Sequence, residues 1–233
     1  GIGYNIKMVK ERLGEDGPLD SWRLLFDPEV VAKLADCGVS VMDSPDETFP
    51  AMLNYLGLDP DGHKVEDVDK VTEGYMKVRP HIRKFHNSQY INDLANGEVC
   101  VAMGYSGDVL QARDRAAEAE NGHEIAYLIP AEGAQLWFDM LAIPADAPHP
   151  ENAHAFINYV LEPKVTAAIS DFVAYANANA KATELVSEDV RNDPGIYPTA
   201  ETMDRLWVVT PHDLKYERAR SRAWTRIRSG TEG

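Results

Sequence analysis

Two aromatic–acid pairs stand out for the chemistry they could do. In "QLWFDML" (135–141) Trp137 and Asp139 lie two residues apart, and in "GYSGD" (104–108) Tyr105 and Asp108 flank Gly107. Residues i and i+2 of a strand share one face about 6.5 Å apart. Read as a strand, the first run therefore points Trp137 and Asp139 the same way, with Leu136 and Phe138 on the other side. An aromatic plate beside a carboxylate suits an organic cation. The ring face attracts the cation by about 0.5–2 kcal/mol, and the carboxylate accepts a charge-assisted hydrogen bond. The plainer reading pairs the acid with an internal Arg or sets it at a turn. The second pair sits at a strand-to-helix junction, where α/β sheets bind ligands, although Asp108 would serve equally well as the N-cap of the helix that follows. A third acidic run, "DSPDE" (43–47), follows a short strand and opens a helix, where the dipole favours Asp43, Asp46 and Glu47 without any ligand. Tyr175, in "DFVAYANANA", is an aromatic entering an Asn-rich, loop-like segment.

Other chemistries are poorly represented. "GYSGD" lacks the Lys and the glycine spacing of a phosphate loop, and its acid would repel phosphate. "GIGYN" at the start lacks the full dinucleotide pattern, so no cofactor is expected. His81 and His86 are five apart, off helical ligand spacing, with Arg83 and Lys84 between them, and no metal site is expected there. No Ser lies in a G-x-S-x-G elbow. Two carboxylates could hydrolyse a glycoside, but nothing in the sequence names an acid with a raised pKa.

The elements that must hold these residues alternate between short strands and helices, which argues for α/β architecture. Helices are expected over 20–38, 46–60 with Pro50 in the first turn, 67–80, 91–98, 109–122 and 149–163, with another from about Pro163. Strands are expected over 39–45, 99–108, "EIAYLIP" and "QLWFDMLAIP", and loop-rich wrapping over 176–200. The 233 residues are 44% hydrophobic, ample for a core, and no run of about 18 apolar residues exists to span a membrane. The net charge of −15 repels nucleic acid and anionic membranes and draws cations. The exception is "KYERARSRAWTRIR" (215–228), with six basic residues and one acid. It reads either as a nucleic-acid patch or, preferably, as an amphipathic helix docked on the acidic body through Tyr216, Ala219, Ala223, Trp224 and Ile227. Cys37 and Cys100 each lie in or beside a strand-like run, so a disulfide and two buried thiols both remain open.

The stretch "RPHIRKFHNSQYINDLANGEVCVAMGYSGDV" (79–109), with "FDMLAIPADA", "FVAYANANAKAT" and "NDPGIYP", closely resembles the periplasmic putrescine/spermidine-binding proteins of bacterial ABC transporters. The resemblance runs from "GIGYN" to "RAWTRIRSG". It implies a type II periplasmic-binding-protein fold, two α/β lobes with a crossover hinge, the first lobe incomplete in this chain. Residues 1–124 would form the second lobe, 125–170 a return crossover with a strand and helices of the first, and 171–233 a segment packing across both. Leu136 and Phe138 would then be left exposed, an aggregation liability. The resemblance further implies ligand contacts from Glu47, Tyr105, Asp108, Trp137, Asp139 and Tyr175, with Tyr105 where the family often has Trp, and a bridged Cys37–Cys100 pair. The expected function is capture of a polyamine in an inter-lobe cleft for delivery to an ABC permease, in the periplasm, by a monomer that touches the membrane only through that permease. Catalysis and nucleic-acid binding are not expected. The alternatives are a polyamine-sensing receptor on the same fold and a carboxylate-pair hydrolase.

Overall fold

The computed structural model describes residues 1–230. They form two compact units, Gly1–Leu136 with the chain from Ala200 onward, and Trp137–Thr199.

In chain order the first unit contains β1 (Ile2–Asn5), α1 (Ile6–Leu13), α2 (Arg23–Phe26), α3 (Pro28–Leu34), β2 (Val39–Val41), α4 (Pro45–Tyr55), α5 (Val65–Val78), a 3-10 turn (Arg79–His81), β3 (Lys84–Phe85), α6 (Tyr90–Ala95), β4 (Val101–Met103), α7 (Ser106–Glu118) and β5 (Ile125–Leu128). The second unit contributes α8 (Pro150–Val160), α9 (Pro163–Val173), α10 (Ala180–Thr183) and α11 (Glu188–Arg191). The chain returns to the first unit with α12 (Ala200–Met203) and α13 (Leu214–Ser229).

The five strands make one sheet in the order β3-β2-β4-β1-β5. Strand β2 runs parallel to β3 and β4, while β1 is antiparallel to β4 and β5. Strand alternation divides the core. Val39, Val41, Val101, Met103 and Ile2 face the larger cluster, built with α2 to α5 and α13. Ala102 faces a smaller cluster of Tyr90, Leu94, Val99, Val109, Ala112 and Ile125, supplied largely by α6 and α7. Because both faces are covered, every residue of β2 and β4 is buried, and β4 reads as a continuous apolar run rather than an alternating one.

Local chemistry explains where the elements depart from expectation. The single helix expected over 20–38 is broken at Asp27, which is extended (φ −83°, ψ 115°) because Pro28 follows. Its carboxylate then caps α3 through the amides of Glu29 and Val30. Helix α4 starts at Pro45, one residue earlier than expected, so Pro50 lies in its second turn and not its first. That proline costs one backbone bond. Gly57, at φ +70°, closes the helix, with Leu58 N donating to Leu53 O.

The C-terminal basic segment is an amphipathic helix docked on the protein body. Tyr216, Arg220, Ala223, Trp224 and Ile227 are buried along one face of α13. Trp224 meets the rings of Phe49, Tyr75 and Phe85 edge-on. The C-terminal carbonyls of Ile227 and Arg228 accept from the Arg79 guanidinium. Asp213 caps the other end by accepting from Tyr216 N at 2.8 Å, which holds its carboxyl below the usual range. Cys37 and Cys100 are disulfide-bonded with Cα atoms 5.5 Å apart, joining the end of the α3 segment to the start of β4.

The strand expected over 135–144, which begins in the first unit and runs into the second, is absent. Only Gln135 bridges Trp207, and Leu136 N donates to Trp207 O at 2.7 Å. Beyond them no described residue of the segment is paired in a ladder. The Asn-rich stretch is a hydrogen-bonding hub rather than plain loop. Asn177 donates to Ser170 Oγ and Tyr197 Oη, and Asn179 caps α10 while donating to Leu161 O. The buried core here is small, Ala167, Ala182 and Val186, and several large apolar side chains stay exposed, among them Phe138, Met140 and Phe172. No helix among the described residues is long and apolar enough to cross a membrane.

Candidate functional site

The parallel neighbours β2 and β4 each lead through a short turn into a helix, α4 and α7, and each helix carries an acid at its third position, Glu47 and Asp108. Carboxyl ends of adjacent parallel strands are where α/β sheets open onto ligands. A full carboxylate charge outweighs the roughly half charge of a helix N-terminus. The net field at this edge therefore favours a cation.

The three acids of "DSPDE" have separate fates. Asp43 accepts from Trp224 Nε1 at 3.1 Å and pairs with Arg228 at 3.2 Å. Asp46 pairs with Arg220 of the same helix. These two are structural, and they hold α13 to the start of α4. Glu47 turns inward instead and is 8% exposed. Its Oε1 accepts from Tyr105 Oη at 2.5 Å, and its Oε2 is buried with no hydrogen-bond partner. A buried carboxylate oxygen left without a donor costs free energy. That orphan is the feature of this edge that asks for a positively charged hydrogen-bond donor.

Tyr105 and Asp108 are joined by a residue that the sequence did not single out. Tyr90, fully buried at the start of α6, accepts from Tyr105 N at 3.1 Å and donates from Oη to Asp108 Oδ2 at 2.7 Å. Asp108 is thus not the side-chain cap of α7; it is aimed by a phenol from a neighbouring helix. Gly104 makes room for that phenol, since a Cβ there would sit 2.5 Å from the Tyr90 ring. Nothing in "NSQYIND" marks Tyr90, because its role depends wholly on tertiary packing. Tyr90→Phe removes both bonds and leaves Tyr105 N and Asp108 less constrained. Ligand affinity is expected to fall roughly 3- to 10-fold, the equivalent of about one net hydrogen bond, with the circular dichroism spectrum unchanged. An affinity equal to wild type would remove Tyr90 from the site.

The remaining candidates lie in the second unit. Trp137 Nε1 donates to Asp139 Oδ1 at 3.2 Å, so the two do share a side although the segment is not a strand. Both are exposed. Tyr175 is half-buried and directly follows Ala174, which ends α9 in the left-handed conformation (φ 56°). The structure therefore brings Glu47, Tyr105 and Asp108 into one network with Tyr90 within the first unit, and within the second it pairs Trp137 with Asp139.

A family model described as "Bacterial extracellular solute-binding protein" matches residues 1–199. Among curated relatives, the putrescine-binding periplasmic protein PotF of Escherichia coli is 53% identical over 99% of this chain and 62% of its own length. The putrescine-binding periplasmic protein SpuD of Pseudomonas aeruginosa is 50% identical over 99% of this chain and 63% of its own length. The chain thus spans a little under two thirds of these relatives. A solved structure of the spermidine/putrescine ABC transporter substrate-binding protein PotD from Streptococcus pneumoniae superimposes with a TM-score of 0.79 at 24% identity, covering 99% of this chain and 66% of that one. At that identity the superposition speaks to the fold alone. With a family match over most of its length and that fold beneath it, the chain belongs to the bacterial extracellular solute-binding proteins.

Proposed function

We propose that the protein carrying this chain captures a linear polyamine, putrescine or spermidine, in the periplasm and delivers it to an ABC permease. The observation that carries the reading is the buried, unpartnered Oε2 of Glu47 beside Tyr105, at the same sheet edge as Asp108. An alkyl ammonium offers three donors and a full charge, which is what that oxygen lacks. Glu47 and Asp108 would take one ammonium, with the Tyr105 ring covering the adjoining methylenes. Trp137, Asp139 and Tyr175 are proposed as further ligand contacts, the first two as the aromatic–acid pair for another amine. Matching acids to ammoniums keeps a desolvated site close to neutral, without which burial of these charges would be prohibitive. Two 50–53% identical relatives named for putrescine support the ligand class. The reading involves binding and release, with no bond made or broken.

The test is calorimetric titration of putrescine and spermidine into this chain and into a form extended to the full length of its relatives. The extended protein is expected to bind one of them in the micromolar range or tighter, near 8 kcal/mol. Asp139→Asn, at an exposed position, is expected to weaken binding by a factor of roughly 3 to 10. A folded, extended protein that takes up neither amine would overturn the assignment.

A further inference from the structure

One cluster of metal-ligating side chains among the described residues shares no residue with the Glu47–Asp108 edge. Asp61 and His63, in the loop after α4, meet His212, two residues ahead of α13. One candidate ligand atom from each lies within 4.8 Å of the others. His63 Nε2 is 3.8 Å from Asp61 Oδ1. The His63 and His212 rings are 4.3 Å apart between centroids, and the His212 ring stacks on Tyr216 at the same distance.

We propose that Asp61, His63 and His212 form a binding site for a first-row divalent transition metal ion of the zinc class. Two imidazoles and a carboxylate match that class, whereas calcium and magnesium prefer oxygen. Ordinary ring stacking accounts for the packing of His212 but not for its polarity. Its side chain is only 4% exposed, and its Nε2 is buried with no hydrogen-bond partner. A nitrogen so placed is costly unless something binds it. The surroundings also resemble the outer support of a metal centre. Thr210 donates to Asp61 from both its amide, at 2.7 Å, and its hydroxyl, which fixes the carboxylate. Glu217 Oε1 lies 3.6 Å from His212 Nδ1 and is itself held by Arg220. Ligand atoms around tetrahedral zinc stand about 3.3 Å apart, from bond lengths of about 2.0–2.1 Å. Only a modest closing of the loop is needed, and His63, the more exposed ring, is placed to supply it. A bound ion would clip the 59–64 loop to the base of α13, adding to the apolar face and the Asp43 and Asp46 pairs that hold the rest of the helix.

This inference stands independently of the polyamine reading, since it uses none of the same residues. The experiment titrates zinc against a chromophoric chelator, and in parallel follows cobalt by its visible absorption. One equivalent is expected to bind, with the intense cobalt bands of four-coordinate geometry and a raised melting temperature. His63→Gln and Asp61→Asn, both at partly exposed positions that should not unsettle folding, are each expected to weaken zinc binding at least 10-fold, as is His212→Ala. Binding that both of the first two variants leave unchanged would overturn the proposal, as would the absence of a one-equivalent site.

Discussion

Glu47→Gln is expected to weaken polyamine binding by roughly 30- to 5,000-fold while leaving the unliganded protein as stable as before, or more so. Truncating one partner of a buried, hydrogen-bonded charge pair costs about 2–5 kcal/mol of binding. Glu47 meets the conditions for that range, being 8% exposed and facing the site with an orphaned oxygen. The amide keeps an oxygen to accept from Tyr105 Oη, so the local geometry survives. What is lost is the charge, and in the empty site that charge is a liability rather than a support. The same substitution should therefore separate binding from folding, a signature that a purely structural acid would not give. Asp46→Asn is the matched control one residue away. Asp46 pairs with Arg220 on α13, so its loss should lower stability slightly and leave affinity within about twofold. Calorimetry and thermal melts on both variants decide the matter. Equal affinity in wild type and Glu47→Gln would place the ligand elsewhere.

How far such a site can be read in advance depends on which forces fix it. The pairing of strands with helices was legible because hydrophobic periodicity and helix-ending glycines are local signals, as Gly57 and Gly97 illustrate; Gly122 misled, since α7 ends at Glu118 and Glu120 takes the left-handed conformation. Legible too was the docking face of α13, whose Trp224 and Ile227 follow helical spacing. The candidate acids were legible as types but not as roles. "DSPDE" offers three carboxylates of similar standing, and only packing shows that α13 claims Asp43 and Asp46 and leaves Glu47. Tyr90 was invisible for the converse reason, since its partners Tyr105 and Asp108 lie 15 and 18 residues away in sequence. The failed strand over 135–144 marks the limit of pattern reading. Alternation can nominate a strand, but a strand needs a ladder, and past Leu136 no described residue of the segment is paired in one.

Replacing both Cys37 and Cys100 with Ala is expected to cost about 4 kcal/mol of stability, with little change in affinity per folded molecule. The bridge spans 63 residues, and closing a loop of that length in the unfolded chain removes conformational entropy worth about 4 kcal/mol. That loop carries α4, α5, β3 and α6, and with them Glu47 and Tyr90. The native arrangement nevertheless does not rest on the bridge alone. Strands β2 and β4 stay paired through Val39 opposite Val101 and Ser40 opposite Ala102, and Cys100 N donates to Gly38 O at 3.0 Å. The loss therefore falls on the unfolded ensemble rather than on the shape of the sheet edge. For a chain of this size it should lower the melting temperature by about 10 °C. Urea unfolding should show a lower midpoint and a steeper dependence on denaturant, because the uncrosslinked unfolded chain exposes more surface. Reductant should bring the wild type to the variant's curve and leave the variant unmoved. A stability loss below about 1 kcal/mol would mean that the unfolded chain keeps this loop closed without the bond. A large loss of affinity in the folded variant would mean that the bridge, and not the β2–β4 ladder, sets the spacing of Glu47 and Asp108.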